Sequence, residues 1–390
     1  MREFNKSVIL VLILVAWLYG ICYAEPDIQV NTCVAVVDKD FKRWSEGGFL
    51  VLNEKDILLA LTGYTQWNSD SCPANIYGFW SHDGGISWTP QEKAVILQKA
   101  SDLDMQNVMS VSLLKLQNGD VLMSFYAHAK AGHFSGTFIK RSKDNCQTWD
   151  RPKLIVPEMV AGPGRNFQLG NGRIIIPVYG EENKIGYSAV LYSDDNACTC
   201  KLSNHVTLQS TSTATGSPSC YEPTVIPLKN GTLLMFLRTT VGQIYKSYST
   251  DNGQSWTEAQ PAGIPSPSSM NTLTRLQNGD IMLIFNMVRD KKEIDGPWPR
   301  CRLCAMISKD EGNTWGNLRF LDGSDEFTEI IKITMASTAA IDTNYVIAAW
   351  SRSPMKSKDH YNNLYDYRIR KFNLDWLYAG DDSITYKAPQ

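Results

Sequence analysis

Aspartates recur in this chain at the centre of a short repeated motif, Ser-x-Asp-x-Gly-x-(Ser/Thr)-Trp. Carboxylates can bind calcium or transfer protons, so these positions are the first candidates for chemistry. Repetition argues against that role, because an active site is built once whereas a structural turn is used in every repeat. The aspartate can instead accept hydrogen bonds from the amides of its own turn, while the tryptophan packs between sheets. The aspartates of the four best copies are Asp83, Asp144, Asp251 and Asp310.

Two close cysteine pairs, Cys198-x-Cys200 and Cys301-x-x-Cys304, are a second candidate, here for metal binding. No further pair stands at zinc-finger spacing and no histidine cluster accompanies them, so the sequence predicts neither a metal nor a cofactor. Apart from Cys22, which lies in the first 24 residues, eight cysteines remain. An even number fits a compartment that permits disulfides, but the pairing cannot be deduced.

The aspartate motif alternates with a second repeated signal, a hairpin of two apolar runs around a tight turn. The motif copies span residues 81–88, 142–149, 249–256 and 308–315, with a decayed copy at 193–200. The hairpins span residues 52–57, 116–122, 169–174, 228–233, 276–281 and 341–346. Asn-Gly at several of these turns suits a type I′ turn, in which both central residues have positive φ.

In five of the six units the motif follows its hairpin by about twenty to thirty residues, the length of a four-stranded antiparallel blade. The sequence therefore predicts an all-β fold, a six-bladed β-propeller that occupies residues 25–390 as a single domain. We expect the strand at 367–372 to pair with N-terminal strands, because closing the ring removes exposed sheet edges.

Polar residues begin several strands on one face of the predicted disc. The strands of a blade alternate in direction, so the hairpin turns and the aspartate turns share one face, and a central site is expected on the other. Each of these polar residues is either a binding residue or a structural rim residue. They are Arg165, Asn166, Asn271, Asn286 and His128, with Tyr64, Tyr245 and His133 as further proton carriers or sugar-stacking groups.

With its repeated motif, the chain resembles the sialidase superfamily, whose members carry such Asp-boxes on a six-bladed propeller. It is also similar to secreted bacterial sialidase-like proteins with BNR repeats, in residues 107–114, 222–225 and 374–378. The resemblance covers essentially all of the chain after residue 24. Asp-boxes also occur in propellers that hydrolyse nothing, so the motif indicates the fold better than the function.

The resemblance implies a site of three arginines that grip a sugar carboxylate, a tyrosine nucleophile, a glutamate that activates it and an aspartate acid/base. Glu222 and Arg238 match the glutamate-hairpin-arginine element of the family, with a rim salt bridge as the alternative. Simple strand register would place these two side chains on opposite sides of the sheet, and a β-bulge would bring them together. Arg300 matches a second arginine, with Arg302 as the fallback, and Asp70 matches the acid/base within one residue.

Two positions depart from the family pattern. Glu46 stands where the first arginine is expected, and Met335 stands where the nucleophilic tyrosine is expected. Arg165 is a replacement arginine from another blade. The sequence predicts an exo-acting glycoside hydrolase for an acidic or sialic-acid-like sugar terminus. The alternatives are a glycan-binding propeller without activity, and a hydrolase of uronic or sulfated glycans that uses a histidine or Glu46 in the vacant role.

Composition and the first residues narrow the partners and the location. The 390 residues carry a net charge of -2 and five scattered histidines, which offers no basic face for nucleic acid. Residues 1–24 have the charged start, apolar run and small-residue end of a signal peptide, with cleavage after Ala24. We therefore expect a secreted or periplasmic protein with a carbohydrate or glycoconjugate partner and no stable membrane insertion after cleavage. An uncleaved anchor is the alternative.

Overall fold

Six antiparallel sheets make up the protein in a computed structural model, which describes residues 30–66, 69–130, 135–209, 218–296, 299–323, 331–355 and 364–387. The expected signal peptide at 1–24 and His133 lie outside these ranges. Each sheet is one blade of a propeller, so the predicted six-bladed all-β fold is confirmed.

The first three blades follow one another along the chain. Blade 1 contains β2 (Arg43–Val51), β3 (Ile57–Tyr64), β4 (Ala74–Ser81) and β5 (Val95–Gln98). Blade 2 contains β6 (Asn107–Lys115), β7 (Val121–His128), β8 (Gly136–Ser142) and β9 (Lys153–Pro157). Blade 3 contains β10 (Val160–Ala161), β11 (Phe167–Gln168), β12 (Ile174–Glu182), β13 (Ile185–Ser193) and β14 (Lys201–Leu202). Two 3-10 turns, Gln91–Lys93 and Ala100–Leu103, connect the strands near β5.

The remaining three blades complete the ring. Blade 4 contains β15 (Cys220–Pro227), β16 (Leu233–Thr239), β17 (Gln243–Ser249) and β18 (Gln260–Pro265). Blade 5 contains β19 (Thr272–Arg275), β20 (Ile281–Asn286), β21 (Leu303–Ser308), β22 (Thr314–Asp322) and β26 (Tyr386–Lys387). Blade 6 contains β23 (Ile331–Ala340), β24 (Tyr345–Pro354), β25 (Asp366–Asn373) and β1 (Val30–Ala35). Two short helices, α1 (Lys291–Ile294) and α2 (Leu374–Tyr378), lie in blades 5 and 6.

The ring closes between the two ends of the described chain. The N-terminal strand β1 pairs antiparallel with β25, and Val30 lies opposite Lys371 while Cys33 lies opposite Arg368. The pairing predicted for residues 367–372 is therefore confirmed. It joins segments more than three hundred residues apart into one sheet.

Hydrophobic cores lie between neighbouring blades. One cluster joins Leu58 of blade 1 to Val121 and Phe125 of blade 2, and similar clusters follow around the ring. Because both faces of a middle strand meet another blade, such a strand is apolar on both sides; β3 is buried along its whole length. In the described ranges, no helix is long and apolar enough to cross a bilayer.

The Asp-boxes are structural turns. In the first, Asp83 accepts hydrogen bonds from the amides of Ile86 and Ser87 at 3.0 and 2.9 Å, and Ser81 Oγ accepts from the Gly85 amide at 2.8 Å. The Gly84 amide donates to the carbonyl of Lys55 in the hairpin turn of the same blade, so the two turns share a face as predicted.

The tryptophans of the Asp-boxes are not equally buried. Trp256 and Trp315 are 6% and 1% exposed, whereas Trp88 and Trp149 are half-buried. All four pack against the hydrophobic cores, as expected of a motif whose tryptophan packs between sheets. Trp149 lines an open groove between blades 1 and 2, which explains its exposure. The eight cysteines after Cys22 are all free thiols, so their even number does not correspond to disulfides.

Candidate active site

Four inner strands carry the same irregularity near the axis of the propeller. In β2, β6, β15 and β23 the strand register shifts by a bulge, and one residue of each bulge has positive φ. These residues are Glu46 (58°), Ser110 (55°), Glu222 (43°) and Met335 (55°). A non-glycine residue costs roughly 1–3 kcal/mol in such a conformation, and these conformations cluster at functional sites. A bulge also re-aims a side chain, so four strands present a side chain outside the regular alternation.

The bulge in β15 brings Glu222 and Arg238 together. It lies between Tyr221 and Thr224, and Arg238 Nη1 then lies 2.9 Å from Glu222 Oε2. Burial acts to raise the pKa of Glu222, but the charges of Arg238 and Arg165 outweigh it and hold this pKa below its usual value. Glu222 is therefore an anion at neutral pH, and Arg238, 21% exposed at its side chain, is accessible from solvent.

Arg300 joins this pair and Arg302 does not. The Arg300 guanidinium donates to the Ser268 carbonyl and lies 3.4 Å from Thr334 Oγ1. Burial, and then the like charge of Arg238, lower the pKa of Arg300 to about 10. Arg302 points elsewhere, since its guanidinium binds both carboxylate oxygens of Glu293 at 2.8 and 3.0 Å. Of the two arginines that the sequence offers, only Arg300 faces the centre.

Arg43, which sequence reasoning missed, ties Asp70 to Glu46. Its guanidinium lies 2.6 Å from Glu46 Oε1 and 2.6 Å from Asp70 Oδ1, and it covers the ring of Tyr64 at 4.4 Å. Burial acts to raise the pKa of Asp70, but Arg43 outweighs it and the net shift is downward. The Asp70 side chain is 64% exposed, so this carboxylate is open to solvent.

Blade 1 therefore still contributes a guanidinium to the centre, from Arg43, although Glu46 stands where the first arginine was expected. Its carboxylate is buried, binds Arg43 and accepts a hydrogen bond from Ser110 Oγ at 2.7 Å. Burial raises the pKa of Glu46, and Arg43 opposes that shift. The available signal was an arginine three residues before the expected position, at the start of the first inner strand. The bulge at Glu46, which allows an arginine three residues earlier to reach the centre, cannot be deduced from the sequence.

Arg165 is near the centre, and both terminal nitrogens of its guanidinium donate to backbone carbonyls. Its guanidinium donates to the carbonyls of Glu222, of Pro223 at 2.9 Å and of Asn271 at 2.6 Å. Burial lowers its pKa to about 10. Arg165 thus links blades 3, 4 and 5 and positions Glu222, and it is not free to grip a ligand as a replacement arginine.

The predicted asparagines and histidine differ in their surroundings. The Asn271 amide is 1% exposed, and neither of its polar atoms has a partner in the described part of the chain. Asn286 donates to the carbonyls of Arg302 and Ile333 at 3.1 and 3.2 Å, which holds β23 beside blade 5 and leaves no amide proton for a ligand. His128 Nδ1 lies 3.1 Å from the Ala129 carbonyl, at the end of β7.

The centre has an excess of positive charge. Lys332 of β23, also missed from the sequence, affects the same groups: burial, then Arg300 and Arg43, lower its pKa to about 8. The centre contains eight charged side chains that influence one another's pKa, five cations and three carboxylates. They are Arg43, Arg165, Arg238, Arg300 and Lys332 against Glu46, Asp70 and Glu222. Such a cluster suits an anionic ligand, and three phenols, Tyr64, Tyr179 and Tyr365, surround it.

The cluster lies on the expected face. Arg43 is the first residue of β2, Glu222 the third of β15 and Lys332 the second of β23, whereas the Asp-box turns follow the ends of third strands. The two sets therefore occupy opposite ends of the blades.

Residues 119–367 match the family described as BNR repeat-like domain. A protein of unknown function from Dyadobacter fermentans has a similar structure, with 17% identity, a TM-score of 0.66 and coverage of 89% of this chain and 98% of that one. Trypanosoma rangeli sialidase has 14% identity and a TM-score of 0.65 over 88% of this chain and 59% of its own length. The NanB sialidase of Streptococcus pneumoniae has 12% identity and a TM-score of 0.69, over 92% and 72%. At identities this low, the TM-scores show a shared fold and nothing further.

Proposed function

The chain belongs to the family of BNR repeat-like domains, and we propose that it acts as a glycoside hydrolase on the acidic terminus of a glycan. The observation that carries this proposal is the group of five cations around two carboxylates, Asp70 and Glu222, at the ends of the inner strands. We also propose that the protein is exported, on the pattern of residues 1–24. N-terminal sequencing of protein recovered outside the producing cell should then begin at Glu25.

Arg238 and Arg300 bind the acid group of the sugar in this proposal. Arg300 has no carboxylate partner among the residues that the structure describes, and a guanidinium fork matches a carboxylate in shape and charge. Arg238 is paired with Glu222 but keeps part of its surface open. An anion here would relieve the repulsion between Arg300 and Arg238 that lowers the pKa of Arg300.

Glu222 and Asp70 divide the proton transfers. Because Met335 stands where the family's nucleophilic tyrosine is expected, Glu222 acts in this proposal as a base on water, whose oxygen attacks the anomeric carbon. The glycosidic C–O bond breaks as Asp70 gives a proton to the leaving oxygen. Asp70 is ionised in the free protein, but a bound anion beside it raises the pKa of its carboxyl, so Asp70 takes up a proton from solvent when the substrate binds and passes that proton to the leaving oxygen. Direct attack by water predicts inversion at the anomeric carbon.

A glycan-binding propeller without activity is the rival function. It is favoured by Met335 in the nucleophile position and by the low pKa of both carboxyls, since a general acid must hold a proton. In that case the positive cluster retains an acidic sugar and releases it unchanged.

A hydrolysis screen with matched variants separates the two. Purified protein is incubated with sialosides, glucuronides and sulfated glycans, and released sugar is measured for wild type, Glu222→Gln and Glu311→Gln. Glu311 is the control, because it pairs with Arg275 at 2.7 Å on the Asp-box face. We expect Glu222→Gln to abolish turnover while retaining much of the binding, with Glu311→Gln as active as wild type. Binding by wild type without product over long incubation would instead establish the rival.

A further inference from the structure

Among the described residues, two neighbouring cations at the centre have no carboxylate in direct contact. In the described ranges, the Arg300 guanidinium donates to the Ser268 carbonyl and to Thr334 Oγ1, and Lys332 Nζ lies over the face of Tyr365, 5.7 Å from the ring centroid. The two residues are neighbours, because the amide of Ile333, next to Lys332 in β23, donates to the Arg300 carbonyl at 2.8 Å. Arg300 is accordingly the strongest neighbouring charge that lowers the pKa of Lys332. Two like charges this close repel each other, and the more distant carboxylates Asp70 and Glu222 compensate that repulsion only in part, so an anion that contacts both cations is favoured.

The strand register explains why Lys332 contacts no carboxylate in the part of the chain that the structure describes. Lys332 lies three residues before the bulge residue Met335, just as Arg43 lies three residues before the bulge residue Glu46. In blade 1 the cation is neutralised by Glu46 and by Asp70, each 2.6 Å away. In blade 6 an uncharged methionine occupies the bulge, so no carboxylate at that position neutralises the equivalent cation, Lys332.

We propose that Lys332, together with Arg300, forms a second anion subsite that binds a sulfate ester on the acidic sugar. The five cations of the centre exceed its three carboxylates by two charges. A ligand with one singly charged group would neutralise only half of this excess. A carboxylate and a sulfate ester each carry a single charge and together match that excess, whereas a phosphate ester carries nearly two charges on its own. This inference rests on the proposed function only in that the ligand is an acidic glycan; it does not require turnover.

Equilibrium binding of matched sugars tests the subsite. The probes are the methyl glycosides of glucuronic acid and of N-acetylneuraminic acid, each as the parent and as its positional monosulfates, titrated at fixed ionic strength. We expect at least one monosulfate to bind wild type about tenfold or more tightly than its parent, the usual gain from a charge-assisted contact.

Three variants identify the residue. Lys332→Met should bring the ratio of sulfated to parent affinity close to one and change the parent affinity far less, while Lys332→Arg should keep most of the preference. Lys246→Met is the control, since Lys246 also stacks on a tyrosine, with Nζ 5.6 Å from the Tyr248 ring, but lies in the outer part of blade 4. It should leave every affinity unchanged.

The possible results distinguish this inference from the proposed function. A parent sugar that binds without any gain from sulfate overturns the subsite and leaves the hydrolase standing. A sulfate preference that depends on Lys332, without turnover of the corresponding glycosides, supports the subsite and overturns the hydrolase. If neither a parent sugar nor a monosulfate binds, the subsite and the proposed function are both overturned. If the preference for a sulfated sugar persists in Lys332→Met, the assignment of the subsite to Lys332 is overturned.

Discussion

Replacing Arg43 by methionine should destabilise the protein in a way that depends on pH and on Glu46. Arg43 is the cation that Glu46 contacts, and the Glu46 carboxylate is 3% exposed. Removing one partner of a buried ion pair typically costs about 3–5 kcal/mol, because it leaves an unpaired charge in the interior. The hydrogen bond from Ser110 remains and reduces this penalty, as does the weaker contact of Tyr64 Oη at 3.3 Å. We therefore expect the lower part of that range, about 3 kcal/mol at pH 8.

The sign of the pH dependence follows from the carboxyl. Burial already raises the pKa of Glu46, and loss of Arg43 removes the largest opposing effect, so the folded variant binds a proton that the unfolded chain has released. Its stability falls as the pH rises above the ordinary glutamate pKa of about 4.3, and the deficit relative to wild type should shrink between about pH 8 and pH 5.

Urea unfolding followed by tryptophan fluorescence measures both effects. Adding Glu46→Gln to Arg43→Met should recover a large part of the lost stability and remove the pH dependence, because no buried charge remains. If the double variant is as unstable as Arg43→Met alone, or the deficit is the same at pH 5 and pH 8, the buried Arg43–Glu46 pair is not the reason for the effect.

Three further measurements test other parts of the structure. Trp256→Ala should lower the free energy of unfolding by about 3–5 kcal/mol and Trp149→Ala by less, because only Trp256 is fully buried; equal losses in urea titrations would count against this. Arg238→Ala should weaken binding of an acidic sugar by about 1.5–3 kcal/mol in calorimetric titrations, with little change for a neutral sugar; an equal loss for both would show a general distortion. Preference for a sulfated sugar should decline as the pH rises through about 8, where Lys332 loses its proton beside Arg300, Arg43, Asp70 and Arg238, and should persist in Lys332→Arg.

The fold was predictable because its signals are local. An Asp-box and an Asn-Gly turn each specify a turn within eight residues, and counting them determines the number of blades. The closing strand was also predictable, since residues 367–372 alternate as a strand without a partner nearby. The degree of burial of each tryptophan was not predictable. Trp149 and Trp256 stand in the same motif, but the packing of the neighbouring blade decides how much of each side chain is exposed.

The site was predictable only in part, because bulges change which residues reach the axis. Glu222, Arg238, Arg300 and Asp70 were named from the sequence, and the structure brings them together. Arg43 and Lys332 were missed, because each lies three residues before a bulge that no nearby residue type indicates. Arg165 and Asn286 were named as candidate binding residues, but the terminal nitrogens of Arg165 and the amide nitrogen of Asn286 donate to backbone carbonyls, which a sequence cannot show.

Proton NMR of a hydrolysis reaction tests the central claim most directly. Wild type is mixed with the glycoside that the screen identifies, and the anomeric signals of the released sugar are followed from the first minutes. We expect free sugar to appear first with inverted anomeric configuration, and no release with Glu222→Gln. Initial product of retained configuration would contradict direct attack by water, and the absence of any released sugar from wild type would contradict the hydrolase itself.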